Sequence, residues 1–329
     1  MSPQLDLFGH AHPERAAAAL DPAAEALAAV HREAADLARR IPARVRFGTS
    51  SWSFPGWKGL VYSRGATETS LAREGLREYA QHPLLRTVGI DRSYYAPIPD
   101  EDLRRYASQL PAGFLACTKA PALVTSAELP GRNGGANPEF MSARRLIDDV
   151  LAPFERSFAA YAGPFILEFP PVRAAAGIDS RTFVGALDRL LGALPPRFRY
   201  AVELRNRHFL TPDYARVLAT HGAGHVYNYW SAMPMPGDQT AVVPPESLSF
   251  AVVRLLLAPG TWYDDQRARF RPFNRIVAED GTMRAQAVSI ARRVAAMDRD
   301  AFLLVNNKAE GSSPLTVMGL ARLLADETG

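Results

Sequence analysis

The sequence predicts an α/β protein with a TIM-like (β/α)8 barrel and an N-terminal helical extension. Eight short apolar segments rich in Val, Ile, Phe and Tyr recur from residue 45 onward, and helical segments separate most of them. A barrel of this kind takes about 250 residues plus insertions, which the 329-residue chain accommodates. The alternative is a doubly wound open sheet, which needs a glycine-rich phosphate turn after its first strand. Gly48 is instead followed by Thr-Ser-Ser-Trp, so the barrel is preferred.

The first 42 residues differ in composition from the rest of the chain. They are rich in alanine, with leucines spaced among charged residues, and predict one or two helices between residues 13 and 40 before a break at Pro42. We therefore expect an N-terminal tail and helical extension over residues 1–42, and a barrel domain over residues 43–329.

The eight predicted strands are continuous apolar runs, which is typical of strands buried on both faces. They span residues 45–49, 87–92, 113–119, 165–169, 200–205, 225–229, 250–255 and 302–306.

Local signals mark several helix ends. Thr211 and Pro212 predict a helix start and Gly222 its end, while Ser313 and Pro314 begin a last helix that runs towards residue 325. Asp100 is predicted to cap a helix that begins at residue 101. Segments 131–138 and 233–245 are rich in Gly, Pro or Asn and predict long loops on the face where the strands end.

Charge, cysteine content and hydrophobicity limit the kinds of ligand and cellular setting that the sequence is compatible with. The formal charge is +4 and the pI is 9.3, with arginines spread along the chain, which is compatible with an anionic ligand and does not require one. The single cysteine, Cys117, lies in an apolar run and is expected to be a buried, inert thiol rather than a nucleophile. A reducing, cytoplasmic setting fits, and neither a membrane helix nor a signal peptide is predicted.

Polar and aromatic side chains collect where the predicted strands end, which in a barrel is where the active site lies. The catalytic candidates are Glu203, Glu168 and Lys119. The candidates for ligand binding are Ser50, Trp52, Trp57, Asp91, Tyr95, Arg205, Asn228, Arg254, Asn306 and Asn307. No metal ligand set is predicted, and the sequence does not define a cofactor.

Most of these residues have a structural alternative. Glu203 and Arg205 share one face of a strand, so they form either an ion pair or a ligand-facing pair. Lys119 is either a base or Schiff-base amine, or the partner of a carboxylate such as Asp91 or Glu168.

The tryptophans are similarly ambiguous, because Trp52 and Trp57 either wall a pocket or pack as core aromatics. The adjacent amides Asn306 and Asn307 are poor core residues and good hydrogen-bonding groups.

Two specific chemistries compete with a general acid–base site. Glu168 and Glu203 come from consecutive strands and form a plausible glycosidase pair, although any barrel offers such pairs. A multinuclear zinc centre is disfavoured because only His208 and His225 lie near strand ends, while a single hard cation held by Asp91 or the glutamates stays open. Acid–base carboxylates would suit a hydrolase, a lyase or an isomerase, and the sequence does not decide whether the protein is an enzyme.

Motifs in order along the chain resemble the YecE-like family, known as domain of unknown function 72. They are Gly48-Thr-Ser-Ser-Trp-Ser-Phe-Pro-Gly-Trp-Lys-Gly59, Asp91-Arg-Ser-Tyr-Tyr95, Cys117-Thr-Lys119, Leu167-Glu-Phe-Pro-Pro171, Ala201-Val-Glu-Leu-Arg-Asn206, Val253-Arg-Leu255, Trp262-Tyr263 and Val305-Asn-Asn307. The resemblance implies a TIM-like barrel with a polar pocket at the strand ends, and no particular reaction. This chain departs from the family pattern at Gly89, where the family usually has glutamate, at Glu168, where it has glutamine, and at Leu256-Leu257, where it has His-Gly.

The N-terminal peptide Gln4-Leu-Asp-Leu-Phe8 resembles the motif by which bacterial replication and repair proteins bind the sliding clamp. In that mode Leu5, Leu7 and Phe8 would fill an apolar pocket and Gln4 would hydrogen-bond at its rim. The alternative is an apolar tail that docks on its own barrel.

The sequence therefore leaves three functional hypotheses. The first is a cytoplasmic barrel enzyme acting on a small anionic or polyhydroxyl substrate, or on a flipped nucleotide. The second is a non-catalytic DNA-maintenance protein recruited by the clamp, with direct nucleic-acid contact left open. The third is a metabolite-binding barrel without chemistry.

Overall fold

A computed structural model describes residues 22–129 and 135–326, and it shows the predicted closed barrel of eight parallel strands in sequential order. The strands are β1 Val45–Thr49, β2 Leu85–Ile90, β3 Leu115–Lys119, β4 Ala162–Phe169, β5 Tyr200–Leu204, β6 Gly224–Tyr229, β7 Ala251–Leu255 and β8 Ala301–Val305. β8 pairs with β1 from Val45 opposite Ala301 to Thr49 opposite Val305, and this closes the ring. The predicted fold is confirmed.

Helices enclose the barrel. They are α1 Pro22–Arg40, α2 Glu68–Glu74, α3 Leu76–Tyr79, α4 Asp100–Ala107, α5 Ala122–Thr125, α6 Ala143–Leu146, α7 Ala152–Ser157, α8 Ser180–Ala193, α9 Pro212–Thr220, α10 Pro236–Gln239, α11 Tyr263–Phe270, α12 Gly281–Ala295 and α13 Ser313–Asp326. A π-helical turn, Ile147–Leu151, joins α6 to α7. No helix in the described ranges has the length and apolar character that crossing a bilayer requires.

The core has two layers, because alternate strand residues face opposite sides of the sheet. Most buried apolar side chains lie between the strands and the helices. A smaller cluster fills the barrel interior and consists of Cys117, Ile166, Ala201, Val226, Phe250, Val252, Phe302 and Leu304. Cys117 is thus buried, as the sequence predicts, and burial raises the pKa of its thiol to about 11.

The helix signals are confirmed in part. Thr211 caps α9, because its hydroxyl accepts a hydrogen bond from the backbone N–H of Tyr214 at 3.3 Å, and Gly222 follows the helix with φ +61°. The prediction that Asp100 caps the next helix is wrong by one residue. α4 begins at Asp100 itself, and its carboxylate instead pairs with Arg156 of α7 at 3.2 Å.

The loop prediction for residues 233–245 is also wrong in part. This segment contains α10, a single helical turn with Pro236 at its start. Gln239 of this turn donates hydrogen bonds to the carbonyl oxygens of Asn228 and Pro234, both at 2.8 Å. Tertiary contacts therefore fold a segment whose composition indicates a loop. Of the other predicted loop, residues 135–138 lie in the described part of the chain.

The N-terminal helix α1 lies against α13, the last helix of the barrel. Glu33 pairs with Arg322 at 2.7 Å, and Arg40 pairs with Asp326 at 3.3 Å. Ala26 of α1 also approaches Gly59, in the segment that follows β1. These contacts place the beginning of α1 beside the face of the barrel where the strands end. The predicted helices before residue 22 lie outside the described residues.

Candidate functional site

The two-residue period of the strands places a polar layer directly above the apolar barrel interior. On β3 the interior residue Cys117 is followed two positions later by Lys119, and on β4 Ile166 is followed by Glu168. In the same way, the interior residues Ala201 of β5, Val226 of β6 and Val252 of β7 are each followed two positions later by a polar residue. These residues are Glu203, Asn228 and Arg254. Interior side chains of a barrel stack in layers, so this polar layer closes the carboxyl-terminal mouth.

Five residues of this region form one network, which we call the ionic cluster: Lys119, Glu168, Glu203, Arg205 and Arg254. Glu168 Oε2 lies 2.9 Å from Lys119 Nζ and 3.1 Å from Arg205 Nη2 and Arg254 Nη1. Glu203 lies between the two arginines, 2.6 Å from Arg205 Nη2 and 2.5 Å from Arg254 Nη1. The register explains this convergence, because Glu168 and Glu203 are direct partners across β4 and β5.

The structure therefore answers two questions that the sequence left open. Lys119 pairs with a carboxylate, and that carboxylate is Glu168. Glu203 and Arg205 form an ion pair, which Arg254 extends into a network. Both side chains of this pair are buried, so their charges are compensated inside the protein rather than by water.

The charge states in the cluster follow from its contacts. Burial alone would raise the pKa of Glu168, but Arg205, Lys119 and Arg254 outweigh it and hold this pKa well below the usual range. Burial would likewise lower the pKa of Arg254, but Glu203 and the other carboxylates keep it above its ordinary value. Glu168 is consequently ionised at neutral pH and is a poor proton donor. A glycosidase pair needs one carboxyl group that stays protonated, and Glu168 is not suited to that role.

The cluster also contains buried donors that have no partner. Nε and Nη1 of Arg205 and Nε of Arg254 are buried and form no hydrogen bond within the described residues. A buried N–H donor of a charged guanidinium group is energetically costly when it has no acceptor. An anionic or hydroxyl group of a ligand could supply that acceptor.

Aromatic rings cover two of the three cations in the cluster, and neither ring was among the residues predicted from the sequence. The ring of Tyr94 lies 3.8 Å from Lys119 Nζ, and the ring of Trp230 lies 4.0 Å from Arg205 Cζ. Such contacts stabilise a cation and shield it from water. The available signal was position, because Tyr94 follows β2 and Trp230 directly follows β6.

Asp91 lies at the edge of the cluster and differs from the two glutamates. Its Oδ1 is 3.7 Å from Arg254 Nη2, and 36% of its side-chain surface remains exposed. Burial by the surrounding protein raises the pKa of Asp91, and this outweighs the opposing effects of Arg254 and Lys119. Asp91 is therefore better suited than Glu168 to hold a proton, because its pKa is raised while that of Glu168 is lowered.

Several other predicted site residues lie apart from the ionic cluster. Trp52 is buried, and its indole N–H donates to the carbonyl oxygen of Leu71 at 2.9 Å. Trp57 donates to Asn307 Oδ1 at 3.3 Å, and the same oxygen accepts from the Ser313 N–H at 2.8 Å. The indole groups and Asn307 Oδ1 thus have structural partners, whereas the buried Asn307 Nδ2 has no hydrogen-bond partner among the described residues.

The remaining predicted residues vary in their contacts. Asn228 is buried and donates to the carbonyl oxygen of Leu204 at 2.7 Å. Asn306 accepts from the backbone N–H of Lys308 at 3.0 Å, while the Ser50 hydroxyl is buried without a partner in the described chain. Tyr95 is 82% exposed and stands at the rim.

The two histidines near the strand ends do not belong to the ionic cluster. His225 is buried between Tyr214 and Gln239, and burial lowers its pKa to about 4, whereas His208 is exposed. Within residues 22–129 and 135–326, no group of three His, Cys, Asp or Glu side chains is arranged to hold a metal ion.

Comparison with known proteins identifies the family. The family described as "Protein of unknown function DUF72" matches residues 46–329. A DUF72 family protein from Thermotoga maritima (TM1631) has a similar structure, with a TM-score of 0.60 and 18% identity over 85% of this chain and 98% of that one. A DUF72 family protein from Enterococcus faecalis (EF0366) has a TM-score of 0.54 and 15% identity over 85% and 97% of the two chains.

A search among curated proteins finds no match. At these identities the two solved structures support the barrel fold alone. The family match covers most of the sequence, confirms the resemblance drawn from the motifs, and shows that this chain belongs to the DUF72 family.

Proposed function

We propose that this protein is an enzyme that binds a small anionic or polyhydroxyl substrate at the carboxyl-terminal mouth of the barrel and transfers a proton there. The observation that carries the proposal is the set of buried, unpaired N–H groups on Arg205 and Arg254. Two arginines that are already ordered by carboxylates can bind an incoming oxygen atom without further loss of side-chain freedom. A polar ligand would satisfy these donors.

The residues of the mouth divide into different roles in this proposal. Arg205 and Arg254 bind the substrate, while Glu168 and Glu203 hold the arginines in position. Asp91 is the general acid or base, because its pKa is raised and it stays accessible from the mouth. Glu168 or Glu203 could act as the base only if the substrate displaced one of the cations that contact it.

Lys119 and the rim complete the proposed site. Lys119 neutralises Glu168 by contacting the same oxygen, Oε2, as the two arginines, and the ring of Tyr94 covers its ammonium group. Tyr95 and Asn306 would orient the ligand from the segments that follow β2 and β8. The chemistry would be acid–base catalysis in a hydrolase, lyase or isomerase, and the single buried thiol fits a reducing compartment such as the cytoplasm.

Binding can be tested before the substrate is known. We would measure the melting temperature of the full chain against a panel of short carboxylates, sugar acids and polyols. We expect at least one member to stabilise the wild type and not the Arg205→Lys variant, because lysine lacks the planar array of N–H donors. Arg181→Lys, on the exposed surface of α8, is the matched control. If no member stabilises the wild type, or if Arg205→Lys responds equally, the proposed substrate site is refuted.

The N-terminal peptide supports a second candidate function. Gln4-Leu-Asp-Leu-Phe8 matches the clamp-binding pattern at all five positions, although it lies outside the residues that the structure describes. In this proposal the barrel is an accessory protein recruited to the bacterial sliding clamp, and it binds its ligand without catalysis. A pull-down with purified clamp should recover the wild type but not a Leu7→Ala/Phe8→Ala double variant. Equal recovery of both proteins would reject the role of the peptide.

A further inference from the structure

A second concave site lies beside the mouth and shares no lining residue with the ionic cluster. It is a cavity of about 510 Å³ between the segment that follows β1 and the segment that follows β7. Its lining includes three aromatic residues, Phe54, Tyr263 and Phe273, and three cations, Arg267, Arg271 and Lys308. This volume falls within the range of sites that bind small molecules.

Lys308 is the most informative residue of this cavity. It is only 8% exposed, yet no carboxylate lies within 4 Å of its ammonium group in the described chain. Its Nζ lies 4.2 Å from the ring centroid of Tyr263, and Lys308 also lines a neighbouring cavity of about 320 Å³. Lys308 lines both cavities and its ammonium group has no paired carboxylate, so an anion that enters this space would gain a partner of opposite charge.

The rest of the lining reinforces this positive charge. Arg267 and Arg271 are exposed, and neither has a carboxylate within 4 Å among the residues described. Glu68 is the acidic residue on the cavity wall. Three cations against one carboxylate leave an excess positive charge, which matches a dianion better than a single carboxylate.

The aromatic side of the cavity is held in place by close packing. The ring of Phe54 lies 4.9 Å from that of Trp57 and 5.6 Å from that of Phe273. A Cβ atom at Gly56 would come 1.8 Å from the carbonyl oxygen of Pro272, so the two walls touch there. Phe54 thus belongs to a fixed wall, while Tyr263 offers a partly exposed ring on the other side.

From this combination we propose that the cavity binds a phosphate monoester attached to a planar ring, the chemistry of a nucleoside monophosphate. The phosphate would contact Lys308, Arg267 and Arg271, and the ring would stack between Phe54 and Tyr263. These segments follow β7 and β8, the region where barrels frequently bind phosphate. The proposal is independent of the proton transfer at the ionic cluster.

Calorimetric titration of the full chain with adenosine 5′-monophosphate, adenosine and inorganic phosphate tests this site. We expect the monophosphate to bind at least tenfold more tightly than either fragment. Lys308→Met and Arg271→Ala should each weaken its binding at least tenfold, and Arg271 is exposed, so that variant should fold. Tyr263→Ala should weaken the binding of the monophosphate and leave the binding of inorganic phosphate unchanged. Arg181→Ala, with the same change in net charge, is the matched control and should bind normally.

Other results would overturn the proposal. It fails if the monophosphate does not bind, or if it binds equally to the wild type and to both cation variants. Inorganic phosphate binding as tightly as the monophosphate would reject the role of the planar ring. If Asp91→Asn loses binding of the monophosphate while Lys308→Met retains it, the phosphate binds at the ionic cluster and the cavity site is refuted. That result would not bear on the proposed proton transfer.

Discussion

The Glu203→Gln variant tests the central electrostatic feature of the structure. Glu203 is fully buried, and both arginines of the ionic cluster contact its carboxylate at 2.5–2.6 Å. Glutamine has nearly the same shape but no charge. The substitution therefore removes one negative charge from between two buried cations and leaves the packing almost intact.

The expected loss of stability is large. Removing one partner of a buried ion pair costs about 3–5 kcal/mol, because the remaining charge stays buried and uncompensated. Here Glu168 still lies 3.1 Å from each arginine and compensates part of the charge, so we expect the lower end of this range, about 3 kcal/mol. With a shift of about 2–4 °C per kcal/mol in a large domain, the melting temperature should fall by about 10 °C.

Urea unfolding at pH 7, followed by circular dichroism, measures this loss. The matched control is Glu246→Gln, which makes the same chemical change in an exposed pair with Arg293 at 2.6 Å. An exposed pair of this kind contributes about 0–1 kcal/mol. If the two variants lose the same free energy of unfolding, the cluster does not depend on buried charge compensation and the reasoning is wrong.

Three further predictions address other parts of the molecule. Because the raised pKa of Asp91 makes the folded state bind its proton more tightly, this group's stabilisation is fully present below the unfolded pKa of about 3.9 and is lost as pH rises through the higher folded-state pKa. Asp91→Asn should consequently gain stability relative to the wild type as pH rises from about 4 through that folded-state pKa in urea titrations. A stability difference that does not change with pH would contradict this. Cys117, buried and with a pKa raised to about 11, should react with a thiol reagent at pH 8 only after unfolding, and rapid labelling of the native protein would show that the barrel interior opens. Gly56→Ala should lower the free energy of unfolding by about 1–3 kcal/mol, because the new Cβ atom would clash with Pro272. Gly65→Ala is the control and should leave the stability unchanged, because its Cβ atom would meet no atom within 4 Å. Equal stability of the two variants would refute the close packing of the two loops.

The barrel was predictable because each apolar run carries its own strand signal, and a parallel ring follows from the order of the runs. Lys119, Glu168 and Arg254 were predictable as site candidates for a related reason. Each lies at the end of such a run, where a charged side chain needs a partner or a ligand. The observed β1 has the predicted bounds, and the other strands differ from the prediction by up to three residues at an end.

The contacts within the site were not predictable in the same way. The positions of Tyr94 and Trp230 over their cations depend on how the segments after β2 and β6 fold across the mouth, which no periodicity encodes. Trp52 belongs to the opening motif, yet its indole N–H faces the Leu71 carbonyl oxygen in the helical layer. A motif indicates which segment matters, and only the tertiary structure determines which side chains face a ligand.

If the mouth binds an anion as proposed, its charge balance would couple that binding to proton transfer. The ionic cluster carries three cations and two glutamates, so it has one excess positive charge, which Asp91 neutralises when it is ionised. An anion bound at the unpaired N–H groups would compete with Asp91 for Arg254 and so raise the pKa of Asp91 further. Anion binding would therefore be accompanied by proton uptake, which converts Asp91 into a general acid in the complex. A neutral polyhydroxyl ligand brings no such charge and leaves Asp91 available as a base, so the charge of the substrate would determine the direction of the first proton transfer.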